Sequence, residues 1–139
     1  MKLVDIVYEI VETLKLGHTN VIKVAEFEKE ISKYGFALDD LEAGVILYHI
    51  IKHLLVSNKE VILDFAGIND IIPYYLANES LSRLAYEYGT SIKNVIKVVN
   101  TTENIQSFID LHIKSYIITM INTRIYADEE NKEDDLVLV

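Results

Sequence analysis

The run Glu60-Val61-Ile62-Leu63-Asp64-Phe65-Ala66-Gly67-Ile68 constrains the fold of this chain more than any other stretch. Val61, Ile62, Leu63 and Phe65 form a short apolar segment rich in β-branched residues. Gly67 and the turn residues Ile68, Asn69 and Asp70 stop it. Such a run between breakers predicts a strand buried on both faces, as in a parallel sheet covered by helices. Without it the periodicity of the chain would read as all-helical.

The flanking segments predict helices. Leu3, Val7, Ile10 and Leu14 share one stripe of a first helix, with Gly17 as its natural stop. A longer helix runs from about 41 to 56, capped by Asp39 or Asp40, with Leu41, Val45, Leu47, Tyr48, Ile51, Leu54 and Leu55 on its apolar face. Asp70 can cap a helix over 71–88, where Pro73 falls in the tolerated first turn. Leu76, Leu81, Leu84 and Ala85 form the buried side of that helix and Gly89 ends it. A second β-branched run, Asn94 to Asn100, predicts another strand, and 103–122 a last helix.

The alternation of helix and strand implies an α/β fold, a small mixed or mainly parallel sheet with helices packed on it. Two strands alone make a marginal sheet. At least one more must come from 1–27, with 21–27 the best candidate, or from the C-terminal Leu136-Val137-Leu138-Val139. Periodicity leaves 20–34 open. It reads as a helix capped by Asn20, or as a strand from Val21 followed by a short helix ending at Gly35.

Composition narrows the function. With 139 residues, half of them hydrophobic, the chain builds one domain with a real core over 1–127, followed by an acidic tail with an apolar end at 128–139. A net charge of −9 argues against nucleic acid as a partner. The absence of cysteine excludes disulfides, thiolate metal sites and cysteine nucleophiles. No apolar run reaches the roughly 18 residues a membrane helix needs, and no signal-peptide pattern opens the chain, so a soluble cytoplasmic protein is expected.

Three resemblances meet in the second half of the chain. Ala85, Gly89 and Val95 have the spacing of a helix-turn-helix over 81–100, which would place Lys93, Asn94 and Lys97 on a recognition helix. Ser80 to Ser91 also resembles the first half of a LysM peptidoglycan-binding module, although Phe108 replaces the glycine that module needs before its last strand. The widest resemblance covers about 36–121. It is carried by the Phe36 to Gly44 lead-in, by Val61-Ile62-Leu63-Asp64-Phe65-Ala66-Gly67-Ile68, by Ile71, by the helix opening at Tyr75 to Glu79 and by Val95 to Asn100. Together these are similar to a STAS-like domain, a family related to anti-sigma-factor antagonists.

That resemblance implies a non-enzymatic regulatory or interaction module. Its partner would be a protein, kinase-like or a transcription regulator, bound through the loop and helix at 66–80, and the chain could also form a homo-oligomer. The antagonists carry a switch serine in the loop after the buried strand. Here Ile68 to Leu76 holds no serine or threonine, and the nearest hydroxyls are Tyr74, Tyr75 and Ser80. The candidate partner-binding residues are Asp64, Asn69, Asp70, Tyr74, Tyr75, Asn78 and Glu79.

Each candidate also has a plainer role. Asp64, at the carboxyl end of a strand, can accept N–H groups of its own turn or border a small-molecule crevice. Tyr75 can pack into the core and leave Tyr74 alone exposed. His49 and His53, four apart with Lys52 between them, form a solvated helix face rather than a zinc site, which needs a third ligand. No Gly-rich phosphate loop occurs, and no cofactor is expected.

Overall fold

The computed structural model describes residues 1–68 and 72–115. Three strands, β1 (Val21–Lys23), β2 (Val61–Asp64) and β3 (Ile96–Val99), pair in parallel in the order β1-β2-β3. The apolar run is thus the central strand, and the third strand comes from the ambiguous segment after Asn20. Asn20 ties the two strand starts together, since its Nδ2 donates to the Glu60 carbonyl (3.1 Å) and its own carbonyl accepts from Ile62 N (2.8 Å).

One expectation fails here, because the sheet is buried on one face only. The register aligns Ile22 with Leu63 and Val98, and Val61 with Ile96. Ile22, Val61 and Leu63 are fully buried and Ile96 nearly so. The other face carries the rows Val21–Ile62–Lys97 and Lys23–Asp64–Val99, in which Ile62 is half-buried and both lysines are exposed. Strand order explains this. Successive parallel strands laid down side by side, with crossovers of one hand, put both crossovers on the same side of the sheet.

Those crossovers are α2 (Val24–Ser32) with α3 (Leu41–Leu55), then the helical stretch from 74 to 95. The helix α1 (Leu3–Thr13) packs on α3 through Ile6, Val7, Ile10 and Val11. It ends earlier than the sequence suggests. Lys15, not Gly17, takes the left-handed conformation (φ 54°) that stops it. Asp40 precedes α3, but its carboxylate accepts from the Ala37 N–H (2.8 Å) rather than from the helix. Leu41, expected on the apolar face, is exposed.

The second crossover is one helical path with a wide turn in it. It comprises α4 (Tyr74–Ala77), a π-turn (Asn78–Ser82) and α5 (Arg83–Tyr88). A 3-10 turn at Gly89–Ser91 and the short α6 (Ile92–Val95) lead into β3, so Asn94 and Val95, expected in the strand, are helical. The final helix, α7, occupies 103–115 of the described residues. The N–H of Ile105 in its first turn bonds the Thr102 hydroxyl (3.2 Å), and Ile105 and Ile109 seal the core. The expected extension to 122, the acidic tail and its apolar end lie outside the described residues.

A charged cluster locks α3 to α5. Glu87 accepts from the Tyr48 hydroxyl and from Lys52 Nζ (2.8 Å), and the Arg83 guanidinium lies 4.0 Å from the Tyr48 ring centre. Burial raises the Glu87 pKa, but the Lys52 and Tyr48 bonds and the Lys52 and Arg83 charges outweigh it and hold it below the usual carboxylate range. A depressed folded-state pKa adds stability that is complete above the unfolded-state value, about 4.3. That stability is lost as pH falls through the lower folded value. Glu87→Gln therefore leaves an acid-unfolding curve with a shallower slope below about pH 4.3. At neutral pH the part-exposed Lys52 pair contributes at most about 1 kcal/mol. Urea midpoints between pH 3 and 7, compared with wild type, check this.

Candidate functional site

The loop after β2 begins with a turn built by Asp64. Its Oδ1 accepts both Ala66 N (2.9 Å) and Asn100 Nδ2 (2.9 Å), so one carboxylate fastens the end of β2 to the end of β3. Asn100 makes that bond from a left-handed backbone (φ 57°), which asparagine tolerates better than most residues. The Asn100 bond first, then the Ala66 N–H, keep the Asp64 pKa below the usual aspartate value. Gly67 turns the chain at φ 86°, a region that costs other residues strain. Ile68 N closes the turn onto the Phe65 carbonyl (3.0 Å).

Beyond the turn the chain re-enters the core at Ile72, and Pro73 starts α4, its carbonyl accepting from Ala77 N (3.2 Å). The opening of α4 divides sharply by burial. Tyr74 is 58% exposed and Tyr75 47%, whereas Leu76 and Ala77 are buried. Tyr75 therefore does not join the core. Asn78 and Glu79 follow, half-buried, with Asn78 Nδ2 donating to Glu79 Oε1 (3.3 Å). Ser80 and Ser82 are fully buried on either side of Leu81, and the Ser80 hydroxyl donates to the Leu76 carbonyl. The serine nearest the loop is thus fully buried.

Two residues far apart in sequence fix the height and tilt of the tyrosines. Gly44 of α3 lies against the backbone of α4. A Cβ there would run into the Tyr75 carbonyl oxygen and come within 2.7 Å of the Glu79 Cβ. From the other side, His112 of α7 meets the Tyr74 ring edge-on (centroids 5.7 Å, 86°) and stacks on Phe108 (5.5 Å, 18°). Tyr74 and Tyr75 are themselves edge-to-face at 5.6 Å. Burial lowers the His112 pKa, which favours the neutral ring and an apolar surface. Leu111, two-thirds exposed, lies beside His112 on α7.

The predicted residues therefore divide. Tyr74, Tyr75, Asn78 and Glu79 share the opening of one helix, and Asp64 braces the strand ends below the loop. Asn69 and Asp70 lie outside the described residues. Sequence reading missed His112 and Phe108 as members of the aromatic surface. Their i, i+4 spacing was visible, but nothing local connected them to Tyr74, 38 positions earlier.

Other candidates lose their geometry. The segment that would be a recognition helix stops at Val95 and continues as β3, which overturns the helix-turn-helix alternative. His53 packs edge-on against Tyr8 and His49 against Tyr48. Among the described residues no group of three or more histidine and acidic side chains is placed to hold a metal. No described helix is long and apolar enough to cross a membrane.

A family model described as a STAS-like domain of unknown function matches residues 42–106. That span runs from the first turn of α3 through β2, the π-turn and β3 into α7, and so contains the central strand, one of the two edge strands and the tyrosine helix, but not β1. No curated protein and no solved structure matches the chain significantly.

Proposed function

We propose, for a chain whose residues 42–106 carry a STAS-like domain, a non-enzymatic interaction module that docks a protein partner on the aromatic surface of Tyr74, Tyr75, Phe108 and His112. The observation carrying this reading is the exposure of two adjacent tyrosines whose rings lean on one another and on His112. Tyrosines held rigidly at a surface lose little side-chain freedom on binding, which is why such residues dominate interface energetics. Asn78 and Glu79 form the polar rim beside them, and Asp64 holds the loop's entry in place. The partner would be a kinase-like protein or a transcription regulator, met in the cytoplasm.

Asp64 accepts from the Asn100 amide and Glu79 from the Asn78 amide, bonds that place the entry of the loop and the rim of the surface. The exposure of the two tyrosines supports a binding role over a catalytic one.

Tyr74→Ala tests the proposal. As bait it should recover the wild-type partner at least about tenfold less well, the effect of a 1.4 kcal/mol loss at a hot spot. The variant's thermal midpoint should stay within a few degrees of wild type, because Tyr74 is mostly exposed. Undiminished capture by a folded Tyr74→Ala protein would remove this surface from consideration. Sedimentation of both proteins alone shows whether a second copy of the chain is the partner.

A further inference from the structure

A groove of about 750 Å³ lies among α6, β3 and α7. Its floor is apolar, built by Leu81, Ile92, Ile96, Ile109 and Ile113. Ile96, Lys97 and Val98 all line it, although neighbouring residues of a strand point to opposite faces, so the groove meets β3 at its edge. Neither Asp64 nor Tyr74, Tyr75, Phe108 or His112 lines it, so the groove is separate from the surface proposed for the protein partner.

The rim of the groove is cationic. The exposed Lys93, Lys97 and Lys114 stand there against one acid, Asp110, in a chain with 22 acidic residues to 13 lysines and arginines. Lys97 Nζ donates to the Lys93 carbonyl (2.9 Å), which draws two of the lysines to one place. The Asp110 Oδ1 accepts from Gln106 Nε2 (3.0 Å). The ion pairs among the described residues join Lys23 to Glu26, Lys33 to Glu30 and Lys52 to Glu87. The groove lysines thus have no carboxylate within ion-pair distance among the described residues. A lysine on an edge strand discourages pairing with other chains, which accounts for Lys97. It does not account for Lys93 and Lys114, which belong to the helices α6 and α7.

We propose that the groove binds a free single-chain amphiphile with an anionic head, a carboxylate or phosphate monoester on an unbranched alkyl chain. The isoleucine floor takes the chain, and the three ammonium groups take the head. An apolar floor rewards every methylene removed from water, while a cationic rim selects against neutral and positive heads. The volume falls within the roughly 300–1,000 Å³ of small-molecule sites. Charge gathers at the rim and the floor has none. That division matches a molecule with one polar end rather than a peptide, whose polar backbone groups recur along its length.

Methyl NMR of the protein titrated with decanoate, held below its micelle concentration, tests this. Decanoate should shift the methyl resonances of Ile96, Ile109 and Ile113 saturably and leave those of Ile6 and Ile10, which do not line the groove, in place. Octanoate, shorter by two methylenes, should bind about tenfold more weakly. Decyl phosphate should bind as decanoate does, and decyltrimethylammonium at least about tenfold more weakly. Lys93→Ala with Lys97→Ala should weaken decanoate binding about tenfold and leave that of decanol unchanged. Both lysines are exposed, so the variant should keep the Ile6 and Ile10 signals of the folded protein. Equal affinity for the cationic and anionic probes, no dependence on chain length, or shifts centred away from the groove would overturn the proposal. So would co-sedimentation with phosphatidylserine vesicles without saturable decanoate binding, since the lysines would then read a membrane surface.

Discussion

Gly44→Ala should destabilise the protein by about 2–3 kcal/mol, against the ordinary helix preference. Alanine is the better helix former by about 1 kcal/mol at an exposed interior position, so a surface glycine in α3 would gain from the change. Gly44 is instead buried against the tyrosine helix, where its missing Cβ leaves room for the Tyr75 carbonyl and the Glu79 side chain. The first of these is backbone and cannot swing aside. Relief requires α4 to move away from α3, which would uncover Leu76 and Ala77 and tilt both tyrosines. The same substitution at Gly17, which has no atom within 4 Å of the added carbon, should change stability by less than about 0.5 kcal/mol. Denaturant unfolding of both variants makes the comparison. A neutral Gly44→Ala would mean that the two helices are further apart than described.

Leu63→Ala should cost about 2–5 kcal/mol, and Ile62→Ala less than half of that. The residues are neighbours in β2 and similar in size, so propensity cannot separate them. Their faces do. Leu63 is fully buried between Ile22 and Val98, and truncation leaves a cavity that the parallel pairings on both sides hold open. Ile62 lies half-buried in a row with Val21 and the exposed Lys97, where the shortened side chain is replaced by water. Equal costs would show a sheet covered on both faces, as the apolar run by itself suggests.

That contrast also shows what the sequence could and could not express. The existence of β2 was legible because four apolar residues in a breaker-bounded run have few other uses. Which face it buries was not, since that depends on the order in which strands are laid down rather than on any strand's composition. The segment after Asn20 stayed ambiguous because β1 contributes only three residues before α2 begins, and so short a strand shares its apolar positions with the helix after it. At β3 the β-branched character of Val95 suggested an earlier start. The turn at Gly89–Ser91 instead carries the helical path four residues further, through Val95. Asp64 behaved as a strand-end aspartate with a turn after it should, but its bond to Asn100 depends on two strands ending level.

The candidate site divided in the same way. Tyr74 and Tyr75 could be named from their place after Pro73, whereas their joint exposure depends on Gly44 and on the approach of α7. Periodicity over 71–88 predicted the buried Leu76, Leu81, Leu84 and Ala85, yet gave no sign of the π-turn that buries Ser80, Leu81 and Ser82 in succession. Turns of this kind add a residue to the helix and rotate its later turns, and they recur beside functional surfaces.

On the reading proposed above, partners meet this chain on the surface made by the opening of α4 and by Phe108 and His112 of α7. Amide hydrogen exchange of the protein, with and without the partner recovered through the tyrosine face, is the deciding measurement. Protection should rise at 74–79 and 108–112 and stay unchanged along β1 and the exposed face of α1. Protection confined to 89–100, with 74–79 unaltered, would contradict the account.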